Sequence, residues 1–182
     1  AAEKGQLRAL GWLHSRGCLW NWRTCYYAVL EGHLDVLRYA HEHGCEWDRN
    51  TCLQAASRGR LEVLRYAHEH GCPWDSLTCV RAAQGGRLEV LRYAHEHDCP
   101  WDSLTFVRDA HGGHLEVLRY ALEHGCPVSL WALEDIPAAG KGQLGALGWF
   151  RSRGYPWARG TCWRATEGGD LEVLWYAHEH GC

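Results

Sequence analysis

Methionine is absent from the 182-residue sequence, so the initiator residue is missing. We expect the sequence to be an excerpt of a longer protein, and the lack of a secretory signal at its start therefore excludes no compartment. Long hydrophobic runs are lacking too. No apolar stretch approaches the roughly 18 residues that a membrane-spanning helix needs, so we predict no membrane span.

A surplus of positive charge is also lacking. The 19 Lys and Arg residues stand against 22 Asp and Glu residues, which gives a net charge of −3. Because nucleic-acid binding depends on cationic side chains that neutralise phosphates, we expect no nucleic-acid partner.

Catalytic motifs are missing as well. The sequence has no nucleophile elbow, no phosphate-binding loop and no HExxH pair. Every candidate acid or base recurs with the repeat described below, whereas an active site needs one asymmetric place. We therefore predict a protein that is not an enzyme, with no catalytic residues and no cofactor.

What the sequence does contain is an internal repeat. A Gly-x-Leu landmark recurs at Gly5, Gly32, Gly59, Gly86, Gly113, Gly142 and Gly169, in steps of 27, 27, 27, 27, 29 and 27 residues. This spacing divides the chain into the units 1–27, 28–54, 55–81, 82–108, 109–137, 138–164 and 165–182. We interpret the seven units as a single repeat array.

Each unit is typical of two short helices. Asp75 is a good N-cap for a first helix that ends at Gly85–Gly86, and a second helix begins near Leu88. A helix pair of this length cannot bury both of its faces alone, whereas stacked copies can. We therefore predict an all-α repeat solenoid of stacked antiparallel helix pairs.

The motif Ala-Ala-x-x-Gly-His-Leu-Glu-Val-Leu, at Ala28–Leu37, Ala55–Leu64, Ala82–Leu91 and Asp109–Leu118, resembles the core of the ankyrin repeat. Ankyrin repeats run for about 33 residues, whereas these units run for 27. The deficit falls in the connection where ankyrin repeats have a β-hairpin finger. We therefore expect an ankyrin-like solenoid without fingers.

The short unit with its Cys-Pro-Trp-Asp turn is similar to the ankyrin-like arrays of giant DNA viruses and of amoebae and other protists. This resemblance implies a protein–protein interaction scaffold inside the cell, such as the substrate-recruiting part of a viral or protist adaptor. The alternative is a structural array that self-associates head to tail into filaments or forms part of a virion or cell surface.

Binding residues in a solenoid are the positions that vary while the frame repeats. In the first helices these positions lie opposite the small residues Cys79, Ala82 and Ala83. Because Arg suits carboxylates and Tyr is favoured at interfaces, we predict a protein partner with an acidic or mixed surface. Variation of exposed positions without function is the alternative. The candidates are Arg23, Tyr27, Asn50, Gln54, Leu77, Arg81, Leu104, Arg108 and Arg164, and Trp131 in the irregular fifth unit.

Cysteines recur seven residues apart, as in Cys45 and Cys52. Equivalent positions in adjacent repeats should lie about 10 Å apart, which is too far for a ladder of disulfides. We expect the cysteines to pack as small hydrophobic residues. A bridge within one motif and a metal site using the His-Glu-His-Gly-Cys segment are the alternatives, and we predict no metal site.

Aromatic residues also recur at fixed places. Tryptophan occupies one position in five units, at Trp20, Trp47, Trp74, Trp101 and Trp157, and we expect it to pack as a wedge between neighbours. An exposed aromatic binding ladder is the alternative. Histidines such as His70 and His97 recur at helix ends, where their protonated form is favoured by the helix dipole.

Overall fold

The structure of the chain is a computed structural model that describes residues 1–105, 114–127, 144–155, 157, 160, 163, 166, 169 and 171–181. These residues form a short 3-10 helix, Ala2–Lys4, ten α-helices and no β-strand. The helices are α1 (Leu7–Ser15), α2 (Trp22–Glu31), α3 (Leu34–Glu42), α4 (Arg49–Arg58), α5 (Leu61–Glu69), α6 (Ser76–Gln84), α7 (Leu88–Glu96), α8 (Leu115–Glu123), α9 (Leu144–Ser152) and α10 (Leu171–Glu179). The prediction of an all-α helical repeat fold is confirmed.

The chain divides into two compact parts, Ala1–Pro100 and Trp101–Cys182. In the first part the helices form two layers. The first helices of successive pairs, α2, α4 and α6, pack side by side, and the second helices, α1, α3, α5 and α7, form the other layer. In the second part α9 packs against α10. A single array through the whole chain stays a prediction.

The first helices begin at side-chain caps. The side chains of Asn21, Asp48 and Asp75 accept hydrogen bonds from backbone N–H groups two residues later, at 3.0, 2.9 and 3.0 Å. Such a bond satisfies one of the N–H groups that a helix start leaves without an intrahelical partner. The sequence-based prediction of a cap at Asp75 is confirmed.

The landmark glycines end the first helices and leave room for the next repeat. Gly32 and Gly59 have φ angles of 80° and 70°, a region that glycine adopts readily. A Cβ atom at either residue would lie 2.8 or 2.7 Å from the side chain of Arg60 or Arg87. The Arg60 guanidinium donates to the carbonyl oxygen of Leu30 at 3.2 Å, so this close approach also joins adjacent repeats.

The cores follow from the amphipathic second helices. In α5, Val63, Leu64 and Ala67 are buried, whereas Glu62 and Arg65 are exposed. The same pattern recurs in α3 and α7. The alanines of α2, α4 and α6 are buried as well and contribute to the same core. The second part has a core of its own, formed by Leu118, Ala121, Cys126, Leu147, Phe150 and Val173.

Two further findings concern membrane-spanning helices and the predicted residues that the structure does not describe. None of the described helices is both long and apolar enough to cross a membrane. Three of the predicted binding residues, Arg108, Trp131 and Arg164, lie outside the described residues, as does the irregular connection around Pro137.

Candidate binding site on the first helices

The first helices present most of the predicted binding positions to solvent. On α2, α4 and α6, Gln54 is half-buried, and Arg23, Tyr27, Asn50, Leu77 and Arg81 are exposed. In the second part, Leu104 is exposed as well. These described candidates are therefore accessible to solvent, and their role in binding stays a prediction.

A cleft of about 500 Å³ lies between α2 and α4. Trp22, Cys25 and Tyr26 of α2 form one wall, and Asn50 and Gln54 of α4 form the other. The connection before α4 completes the lining with Glu46, Trp47 and Asp48. The structure thus brings the predicted residues Asn50 and Gln54 together with Trp22 and Tyr26, which are not among the predicted binding residues.

An exposed aromatic group lies beside this cleft. Trp22 is 66% exposed, and its ring packs edge-on against Tyr26 at a centroid distance of 5.6 Å. Tyr26 in turn contacts Tyr27 at 5.6 Å. The Arg23 guanidinium lies 5.4 Å from the Trp22 ring, within range of a cation–π interaction. Trp22, Arg23, Tyr26 and Tyr27 of α2 therefore form one patch.

A sequence signal for the missed residues does exist. The position of Trp22 holds Arg49 and Ser76 in the next two first helices, and it therefore varies as much as the selected positions do. The selected positions lie one residue further along each helix. Trp22 and Arg23 are adjacent varying positions, and the rotation of α2 against α4 decides that Trp22 lines the cleft.

Charged groups surround the site. Asp48 accepts from the backbone N–H of Asn50 at 2.9 Å and from its side-chain amide at 2.8 Å, so the cap also orients Asn50. Arg81 donates to Gln84 at 3.0 Å and remains exposed. Acidic groups at the cleft and arginines along the same face suit a partner with mixed charge.

The repeated tryptophans lie between neighbouring helix pairs. Trp47 stacks on His41 at 3.6 Å and meets the edge of Tyr66 in the next second helix at 5.9 Å. Trp74 makes the same contacts with His68, at 3.7 Å, and with Tyr93, at 6.2 Å. The prediction of an aromatic wedge is confirmed for these residues.

Histidines complete these aromatic clusters. His70 and His97 lie at helix ends, and their Nδ1 atoms donate to the carbonyl oxygens of Tyr66 and Tyr93 at 2.8 Å. His41 meets the edge of His70 at 5.9 Å. Burial and the nearby His70 lower the pKa of His41.

Seven of the eight described cysteines are buried, and only Cys18 is exposed. The prediction that cysteines pack as small hydrophobic residues is confirmed for these seven. Among the described residues no group of three or more His, Cys, Asp or Glu side chains could hold a metal ion. However, the Sγ atoms of Cys25 and Cys45 lie 2.7 Å apart. The distance between equivalent positions does not predict this contact, because the two cysteines occupy different positions of the repeat.

No protein-family model matches the sequence, and no curated protein matches it. Among solved structures, the chain is similar to the crystal structure of the human ASB11 ankyrin repeat domain, with a TM-score of 0.62 and 16% sequence identity. The similarity covers 100% of this chain and 82% of that chain. The chain has the fold of an ankyrin repeat domain. The identity is too low to indicate a shared partner.

Proposed function

We propose that the chain is a non-enzymatic scaffold that binds a protein partner along its first helices, with the cleft between α2 and α4 at the centre. The observation that carries this proposal is the exposed patch of Trp22, Arg23, Tyr26 and Tyr27 beside the cleft. Trp, Tyr and Arg are the residues most enriched at binding hot spots. Ankyrin repeat folds generally act as protein–protein interaction scaffolds, which supports the same conclusion.

The chemistry of the site suggests what the partner presents. A cleft of about 500 Å³ has the size that accommodates a few side chains of a bound segment. Its aromatic wall favours an apolar or aromatic side chain of the partner. Arg23 and Arg81 favour carboxylates on either side of it, because guanidinium groups bind carboxylates in a bidentate manner.

Selection from a peptide library displayed on phage, followed by affinity measurement, tests this proposal. We expect Trp22→Ala to weaken binding of the selected peptides at least ~30-fold, as for a hot-spot residue. Trp12→Ala is the matched control, because Trp12 is 59% exposed on the second-helix layer and lies under Arg16 at 5.2 Å. Equal losses in both variants would contradict the choice of face.

We further propose that the chain recruits substrates for an adaptor of a giant virus or protist, inside a cell. The resemblance of the short Cys-Pro-Trp-Asp units supports this role. Sequencing of the flanking reading frame tests it. An F-box segment beside the array would support an adaptor, and a coat-protein domain would contradict it.

Self-assembly is the second candidate, and one observation favours it. Trp175 of α10 is 66% exposed and Leu171 is 78% exposed. Trp175 takes the position that Arg65, Arg92 and Arg119 have in other units. Light scattering over a concentration series should show larger particles that Trp175→Arg abolishes. A monomer at all concentrations would exclude this candidate.

A further inference from the structure

Two buried cysteines are in contact at the end of the α2–α3 helix pair that lies opposite its connection. Cys25 lies in the first half of α2, and Cys45 follows the end of α3. Only Gly32 and His33 connect the two antiparallel helices, so the start of α2 lies beside the end of α3. Each of the two cysteines is 2% exposed, and their Sγ atoms are 2.7 Å apart.

The same arrangement recurs in the next two helix pairs. Cys52 of α4 and Cys72 after α5 are again twenty residues apart, as are Cys79 of α6 and Cys99 after α7. The Sγ atoms of Cys52 and Cys79 each lie 3.9 Å from the backbone oxygen of their counterpart, Cys72 or Cys99. The three helix pairs therefore place two buried cysteines at the same position.

We propose that the pairs Cys25–Cys45, Cys52–Cys72 and Cys79–Cys99 are redox sites, each oxidised by a hydroperoxide to a disulfide that joins the two helices of one pair. A disulfide bond is about 2.05 Å long, so the sulfur atoms of the first pair need only a small movement to form it. A structural zinc ion requires four ligands, and each pair supplies two sulfur atoms.

The two thiols of a pair differ in acidity. The hydrogen bond from Cys25 lowers the pKa of Cys45, while the same bond and burial raise the pKa of Cys25. The second pair repeats this difference, because the pKa of Cys72 is lowered and that of Cys52 is raised. Since the thiolate is the reactive form, Cys45 and Cys72 are the nucleophiles. Cys25 also lines the cleft between α2 and α4, so the first pair lies directly behind the cleft wall.

The reaction balances with one peroxide for each bridge. With hydrogen peroxide, the Cys45 thiolate attacks one oxygen atom, the O–O bond breaks, and hydroxide leaves and takes up a proton to form water. The resulting sulfenic acid is then attacked by the sulfur of Cys25. The S–S bond forms, the S–O bond breaks, and the Cys25 proton leaves with the hydroxyl group as a second water. The two sulfur atoms together lose two electrons, and the peroxide gains them.

Peptide mapping of the full chain after hydrogen peroxide treatment tests this inference. A Cys18→Ser background removes the one exposed thiol among the described residues, which reduces bridging between molecules. After the remaining thiols are alkylated and the chain is digested, we expect the linkages Cys25–Cys45, Cys52–Cys72 and Cys79–Cys99. Cys162 and Cys182, which are also twenty residues apart in the sequence, lie outside the described residues and are not part of the test. Cys126 should remain alkylated, because the sequence has Phe106 twenty residues before it.

One further variant and a melting experiment complete the test. Cys25→Ser should remove only its own linkage, and a sulfenic acid trap should then label Cys45. Oxidation should raise the Tm by at least ~2 °C for each bridge, and a reductant should reverse the rise. Full alkylation of all cysteines after peroxide treatment would overturn the inference. Linkages between cysteines seven residues apart, such as Cys45 and Cys52, would overturn it too.

Discussion

Asp98 occupies a backbone conformation that the other units reserve for glycine. Its φ angle is 60°, and Gly44, Gly71 and Gly125 at the equivalent positions have angles of 83°, 80° and 77°. A left-handed conformation costs a residue with a Cβ atom about 1 kcal/mol, although Asp tolerates it better than most. The repeat therefore ends a helix in the same way with either residue, at different cost.

Asp98→Gly should accordingly stabilise the chain by about 0.5–1 kcal/mol. The reverse change, Gly71→Asp, should destabilise it by a similar amount, because Asp would have to adopt the left-handed conformation. A steric clash should add nothing, because no other atom lies within 4 Å of a Cβ placed on Gly71. Urea unfolding of both variants measures the two effects. A loss of stability in Asp98→Gly would show that the aspartate side chain contributes more than its backbone conformation costs.

At the scale of a helix, the contribution of Asp75 to stability as a helix cap can be distinguished from its contribution as part of an ion pair. Asp75 caps α6, and its carboxylate also lies 3.4 Å from the exposed guanidinium of Arg49. Loss of a cap typically costs about 1 kcal/mol and up to about 2 kcal/mol, whereas an exposed ion pair contributes about 0.2–1 kcal/mol and often nothing measurable. We expect Asp75→Ala to lower the free energy of unfolding clearly more than Arg49→Ala does in urea titrations. Equal losses would assign the role of Asp75 to the ion pair.

The histidines that stack on tryptophan make helix stability depend on pH. Burial and a neighbouring histidine lower the pKa values of His41 and His68 below 6.5 in the folded chain. The unfolded chain therefore binds protons first as the pH falls. The contribution of the neutral histidines His41 and His68 to the free energy of unfolding is complete above about pH 6.5. It is lost as the pH decreases through their folded pKa values.

We therefore expect the urea midpoint of the chain to decrease between about pH 7.5 and about pH 5.5. His41→Gln with His68→Gln should reduce this decrease, because the glutamines do not titrate. Circular dichroism at several pH values measures the midpoints. A decrease of the same size in the double variant would place the responsible groups elsewhere.

For the whole molecule, the repeat determines most of what could be predicted. The period located the helices, the caps and the glycine ends, because each feature depends on residues close together in the sequence. The contact of Cys25 with Cys45 and the cleft at Trp22 could not be predicted in this way. Both depend on how one helix is rotated against another, which brings together positions that the repeat does not make equivalent.

The two helix layers should also differ in what their arginines do. Arg65 of α5 is exposed, but its guanidinium also lies 5.4 Å from the ring of Tyr93 in α7 and so contacts the next repeat. Arg81 of α6 is exposed on the predicted binding face. Arg108 holds the equivalent position one unit later in the sequence, outside the described residues. An arginine that packs on its neighbour should support the fold, and one that faces solvent is available to a partner.

We expect Arg81→Glu with Arg108→Glu to weaken binding of peptides selected on the unaltered chain at least ~10-fold. The free energy of unfolding should change by less than about 0.5 kcal/mol, as is usual for exposed positions. Arg65→Glu with Arg92→Glu should have the opposite profile, with nearly unchanged affinity and a lower Tm. Calorimetric titration and thermal unfolding of both variants give the comparison. If the second-helix pair abolishes binding and the first-helix pair does not, the partner binds the other layer.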